Sequence, residues 1–275
     1  MRLNVKIVYR YTFAWQEARG DALASLGVKF EAPKPSSLGG GIGVCCVEEG
    51  AQNWLEVSEL MRRWDGGALV ETEFTKSDIA QARFCAFRVT HVNGYPQPED
   101  DFLYRERTYD TRAYCPVCGI GLSQNAPFSV RRSLKWGRNS FLRLFWVREA
   151  AFSLRDAWQQ HLAPLGIGCR PVEDVKGVEL EDMIQLQCDS RVPLAMSDLE
   201  RSVCGTCGRE RFPWHNRGFF PAPAREPNSP IFHSEQYFGA GHASSNEIIV
   251  TAEVVKAIQL AGLKGVEFWP CAPSE

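Results

Sequence analysis

The chain has no apolar run of about 18 residues, so nothing in it reads as a transmembrane helix. Its first residues, Met1-Arg2-Leu3-Asn4-Val5-Lys6, lack the apolar core of a signal peptide. Neither sign of charge dominates. Thirty-one Lys and Arg face 33 Asp and Glu, a formal net charge of −2, which argues against a dedicated nucleic-acid binder while leaving room for a local basic patch. Histidine is scarce, with five residues in 275 and no H-E-x-x-H or comparable pair at helical spacing, so a histidine-built catalytic metal site has no support. His215, His233 and His242 are expected to be solvated or hydrogen-bonded, and an enzyme using them with a carboxylate such as Glu235 has no spacing behind it.

Cysteine, by contrast, is plentiful at ten residues. Six of them (Cys45, Cys46, Cys85, Cys169, Cys188 and Cys271) are scattered and mostly flanked by apolar residues, which fits free thiols in a reducing, cytoplasmic compartment better than a disulfide framework. The other four fall in two matching turns, Cys115-Pro-Val-Cys118-Gly119 and Cys204-Gly-Thr-Cys207-Gly208. Two residues between cysteines bring both sulfurs to one side of a tight turn, and the following glycine tolerates a positive φ that lets the chain curl away. Cys115, Cys118, Cys204 and Cys207 together make a tetrahedral all-thiolate set, the closed arrangement of structural zinc. Iron occupies such sets as well, but zinc is the commoner metal. A redox dithiol is the competing reading, but it needs a helix N-terminus to lower the thiol pKa, and neither Gly119-Ile-Gly nor Gly208-Arg opens a helix. A catalytic zinc would need an open ligand position that four thiolates do not leave. Residues 119–203 separate the halves, far more than a short zinc ribbon has, so the ribbon is read as split by a long insertion.

Around that staple the periodicities predict an α+β protein of mixed sheets and short helices. Strands are expected near 3–11, 44–47, 84–92, 183–188, 248–250 and 263–270, and helices near 15–26, 53–64, 75–82, 153–162 and from Thr251 to Gly262. Asn53, Thr75 and Thr251 are the expected helix caps. Gly39-Gly40-Gly41-Ile42-Gly43 runs into a strand, not a helix, and so reads as a structural loop and not a phosphate cradle. The proline-rich, aromatic stretch after Gly208 is expected to be irregular and either a binding feature or laid over the surface. Two regions are expected, 1–110 and 111–275, the second holding both knuckles.

Residues 131–148 carry Arg131, Arg132, Lys135, Arg138, Arg143 and Arg148 interleaved with Trp136, Phe141, Phe145 and Trp146. Basic and aromatic residues together suit phosphates and bases, or a protein interface. The plainer reading is a core strand over 141–147 with solvated arginines, and the acidic cluster Glu173, Asp174, Glu179, Glu181 and Asp182 weakens the nucleic-acid option.

The paired turns at 115–119 and 204–208, Arg209, the run 245–251 (SNEIIVT), the run 261–268 (AGLKGVEF) and Pro270 together resemble the double-CXXCG motif proteins, a paralogous group expanded in myxobacteria. The similarity covers roughly residues 111–273, and its motifs are specific as a set. It implies zinc on the four cysteines and a non-enzymatic, protein-binding role, since that family includes immunity proteins thought to bind toxins exchanged between kin. In that family the first knuckle lies near the N-terminus, whereas here about 110 residues precede it. Only the four cysteines carry over residue by residue.

Overall fold

A computed structural model describes residues 5–34, 41–131, 134–196 and 199–273. The fold is mixed α+β, mostly strands with short helices, and no helix among the described residues is long and apolar enough to cross a membrane. The chain divides into two compact units, Met1–Thr75 with Asn216–Gly218, and Lys76–His215 with Phe219–Glu275. The division thus falls at Thr75 and not at the expected 110. Strand Phe84–Val89 accounts for this, because it lies between two C-terminal strands of the second unit's sheet.

The first unit is a four-stranded antiparallel sheet in the order Phe30–Glu31, Ile42–Glu48, Lys6–Ala14, Gly67–Glu73. Helices Glu17–Ser25 and Trp54–Arg63 complete a strand–helix–strand, strand–helix–strand order, the topology of the ferredoxin-like split βαβ motif. Alternation along the first strand buries Tyr11 and Phe13 against Leu23, Val47, Val57 and Met61 from the second strand pair and both helices. The described part of the glycine cluster, Gly41–Gly43, enters a strand as expected, while Gly39 and Gly40 lie outside the described residues. Asn53 does precede its helix, but its side chain does not cap it. The amide Nδ2 instead donates to Leu26 O at 3.0 Å, tying the two helical segments together. Asn216–Gly218 belong here through Thr72, whose Oγ1 donates to Asn216 O and accepts from Gly218 N.

The second unit contains two five-stranded sheets. One runs Arg191–Val192, Ile231–Ala240, Ala243–Thr251, Phe84–Val89, Val266–Pro270; the other runs Phe128–Val130, Cys169–Asp174, Glu179–Leu186, Phe152–Leu154, Phe141–Leu142. Phe87, Ile231, Ile248 and Val250 from the first meet Phe141, Ile184 and Leu186 from the second, and helix Ala252–Leu260 adds Val254, Val255 and Ile258. The C-terminal strand–helix–strand is therefore where the pattern placed it, and the helix stops at Gly262 with φ +64°. Thr251 precedes that helix without capping it, and its buried hydroxyl has no partner. Two further expectations give way to tertiary packing. Ser153 lies in a short strand and the helix begins at Arg155, and the strand expected over 141–147 ends at Leu142. There Leu144 and Val147 stay buried while Trp146 turns outward at φ +67°.

Candidate metal centre

Each cysteine pair sits in the turn of its own two-stranded hairpin. The first hairpin pairs Tyr109–Asp110 with Ser123–Gln124, and the second pairs Ser202–Val203 with Glu210–Arg211. The two turns close identically. Gly119 N donates to Cys115 O and Cys115 N to Ile120 O; Gly208 N donates to Cys204 O and Cys204 N to Arg209 O, all at 2.8–2.9 Å. Gly119 and Gly208 take φ of +79° and +72°, the left-handed conformation that the motif glycine was expected to supply. Neither turn opens a helix.

The hairpins face each other so that cysteines 89 residues apart meet. Cys115 Sγ lies 3.9 Å from Cys204 Sγ and Cys118 Sγ lies 3.6 Å from Cys207 Sγ. All four sulfurs fall within 4.8 Å of one another, and among the described residues they are the group of Cys, His, Asp and Glu placed to hold a metal ion. These separations are far beyond a disulfide's bond length of about 2.05 Å. They match the spacing of about 3.8 Å that sulfurs take at the corners of a tetrahedron around an ion about 2.3 Å from each. All ten cysteines are free thiols. Of the six scattered ones, Cys45, Cys85 and Cys271 are buried, Cys169 and Cys188 are partly buried, and Cys46 is exposed on its strand.

The electrostatics of the centre favour a cation. Backbone N–H groups of Cys118 and Val117 point at Cys115 Sγ and hold its thiol below the usual range. Those of Cys207 and Thr206 do the same for Cys204, which is brought down to about 6. Cys118 is fully enclosed, and burial pushes its thiol up to about 12. The backbone amides thus favour the thiolate forms of Cys115 and Cys204, burial disfavours that of Cys118, and a cation among the sulfurs would offset that cost. A divalent ion supplies that charge, and the residues present fit one. Zinc or another thiophilic metal would be held by Cys115, Cys118, Cys204 and Cys207, with Ile120 and Tyr237 closing the apolar side.

Arg209 ties the hairpins together. Its Nη1 donates to Ala113 O at 2.7 Å and to Ile120 O at 3.0 Å, both on the opposite knuckle. Its place directly after the second CxxCG was visible in the sequence, but its reach across 89 residues was not. Gly119 presses against the hairpin turn of the main sheet, and the second knuckle is fastened to that sheet by Phe212 N donating to Tyr237 O and Gly239 N to Phe212 O.

The other residues singled out in the sequence are not gathered here. His215 Nε2 pairs with Phe219 O and His233 Nε2 with Glu149 O, and burial lowers both imidazoles below their ordinary range. His233 lies within strand Ile231–Ala240 and not in the irregular stretch; His242 is exposed in the turn that follows. Glu235 lies 3.8 Å from Arg225. A polar cavity of about 210 Å³ beside the first knuckle includes Tyr109, Glu149, Asp189 and His233 in its lining. Its groups are paired internally, for Tyr109 donates to Glu149 Oε1 and Asp189 holds Arg170.

The basic stretch does not form one free stripe. Arg131 pairs with Glu99, Arg148 stacks 4.3 Å over Trp214, Arg143 is half-buried, and Trp136 packs on the core beneath. Arg132 lies outside the described residues. Set against known proteins, the chain matches no family model, no curated protein and no solved structure.

Proposed function

We propose that the chain is a non-enzymatic binding protein in which one structural Zn²⁺, held by Cys115, Cys118, Cys204 and Cys207, closes a zinc ribbon split by a long insertion. The observation that carries the proposal is the convergence of four sulfurs, from hairpins 89 residues apart, to within 4.8 Å. Four thiolates complete a tetrahedral shell and leave no position for water or substrate, so the metal acts as a staple. Its binding energy is folding energy, and the rigidity it confers lowers the ordering cost of docking a partner.

In its most specific form the proposal is a cytoplasmic immunity protein that neutralises a toxin domain by direct binding. Support comes from the paired CxxCG turns, Arg209 and the C-terminal SNEIIVT and AGLKGVEF runs. The test is co-purification of the native protein with metal content determined on the same sample. A stoichiometric protein partner, whose toxicity the chain suppresses in co-expression, supports the reading. Recovery of nucleic acid with steep salt dependence instead replaces it by a nucleic-acid role for 131–148. A Cys207→Ser variant that keeps its fold and full partner affinity removes the staple from the mechanism.

A further inference from the structure

The aromatic and basic residues that the metal centre leaves unexplained converge on a second recess in the second unit, of about 440 Å³. That volume lies in the range of small-molecule sites. One wall is aromatic. Trp146 is 44% exposed, and its ring centre lies 4.7 Å from both Phe102 and Tyr95. Phe102 and Trp146 both hold left-handed backbones, φ +61° and +67°, a conformation that bulky residues rarely adopt. The fold thus turns two large rings outward together, on left-handed backbones. Such retained strain is a recurrent mark of ligand sites.

Cationic groups border the same recess, and the Arg105 guanidinium lies over the Phe102 ring, 4.6 Å from its centroid. Arg105, Arg143 and Arg148 all border the recess, against the single carboxylate of Glu149, which already accepts from Tyr109 and from Arg148 N. Behind the lining, the buried Glu247 interacts with Arg88, Arg143 and Arg148, and Arg88 also interacts with Glu267. Burial lowers the Arg143 pKa, and the nearby charges of Glu149 and Glu247 act against that shift. Two donors on this lining are unmatched: Arg105 Nε is buried without a partner, and so is the hydroxyl of Ser244, a residue only 8% exposed. A buried polar atom without a partner is costly.

We propose that this recess binds a nucleotide, its phosphate among Arg105, Arg143 and Arg148 and its base against the exposed part of Trp146. The excess of guanidinium over carboxylate at the recess suits the negative charge of about −2 that a phosphomonoester carries near neutral pH. Guanidinium forks suit phosphate oxygens, and the exposed part of the Trp146 ring suits a flat base. A free nucleotide and the 5′ end of a single strand present the same chemistry.

The test titrates the full-length, metal-replete chain with AMP, adenosine, inorganic phosphate and a 5′-phosphorylated oligo(dA), by tryptophan fluorescence and calorimetry. The expected result is saturable binding of one AMP per chain, with adenosine and phosphate each weaker by about tenfold or more. Arg148→Gln and Trp146→Ala, both at exposed positions, should each weaken AMP by about tenfold while metal content stays unchanged; Arg143→Gln should do the same. Tighter binding of the oligonucleotide than of AMP assigns the strand end, and weaker binding assigns the free nucleotide; both support the site. The proposal is overturned by no saturable AMP binding at millimolar concentration, by adenosine or phosphate binding as tightly as AMP, or by unchanged affinity in both Arg148→Gln and Trp146→Ala.

Discussion

The two motif glycines offer a controlled comparison, because they share a backbone conformation and differ in what surrounds them. Gly119 has φ +79° and Gly208 has φ +72°. An alanine Cβ at Gly208 would meet nothing within 4 Å, so Gly208→Ala costs only the left-handed conformation, about 1–2 kcal/mol. The same Cβ at Gly119 would lie 2.3 Å from His242 O, 2.8 Å from His242 C and 3.2 Å from Ser244 N. All three are backbone atoms of the adjoining hairpin, so no side-chain rotation relieves the overlap. Gly119→Ala therefore adds displacement of the knuckle from the sheet to the same conformational cost. A total of about 3–5 kcal/mol is expected, the range in which overpacking and backbone strain combine. Urea denaturation of metal-saturated protein, followed by tryptophan fluorescence, measures both variants. Equal destabilisation by the two substitutions would refute the reasoning, since it would mean that the first knuckle does not rest on the 240–244 turn.

Arg209→Ala should destabilise the protein by about 1.5–3 kcal/mol, the scale of hydrogen bonds from a charged donor, and should speed metal transfer to a chelator. Arg209→Lys should recover only part of this, because a single ammonium does not span Ala113 O and Ile120 O as a guanidinium does. Phe141→Ala removes a fully buried ring that meets Phe87 edge-on at 5.3 Å, and should cost about 3–5 kcal/mol in the same denaturation assay. The His233 pKa is lowered by burial, so the unfolded chain binds the proton first, and stability falls as pH drops below 6.5 toward the folded-state value. The slope fades over about a unit above pH 6.5, where neither state binds the proton. Stability of the wild type should therefore decline more steeply than that of His233→Gln between pH 6.5 and 5, and parallel curves would show that His233 is not held neutral.

The four-cysteine cluster was legible in the sequence because its signal is local twice over. Each C-x-x-C-G run fixes its own turn, and the paired spacing implies a shared ion whatever lies between. Arg209 was present in the motif but its role was not readable, since Ala113 and Ile120 become neighbours only after the two hairpins meet. The helices at Trp54–Arg63 and Ala252–Leu260 followed from their apolar stripes, while their caps did not. Asn53 is drawn to Leu26 O by tertiary contact, and the Thr251 hydroxyl is buried without a partner instead of capping the helix that follows. The strand Gly67–Glu73 has no strong alternation of burial and was missing from the expected elements, and without it the split βαβ order of the first unit stayed hidden. The boundary expected at 110 failed for a related reason. Register between Phe84–Val89 and strands some 160–180 residues later is a non-local fact, carried by pairs such as Val250 with Cys85 and Val266 with Val89.

The central claim is that four cysteines hold one structural metal ion. Elemental analysis of purified protein beside the single Cys115→Ser, Cys118→Ser, Cys204→Ser and Cys207→Ser variants tests it most directly. The account predicts one zinc per chain in the wild type, and weakened or lost metal together with a destabilised fold in every variant. A wild-type chain that carries no metal when prepared in zinc-replete, reducing buffer, with Cys115, Cys118, Cys204 and Cys207 all freely alkylated in the folded state, would contradict it.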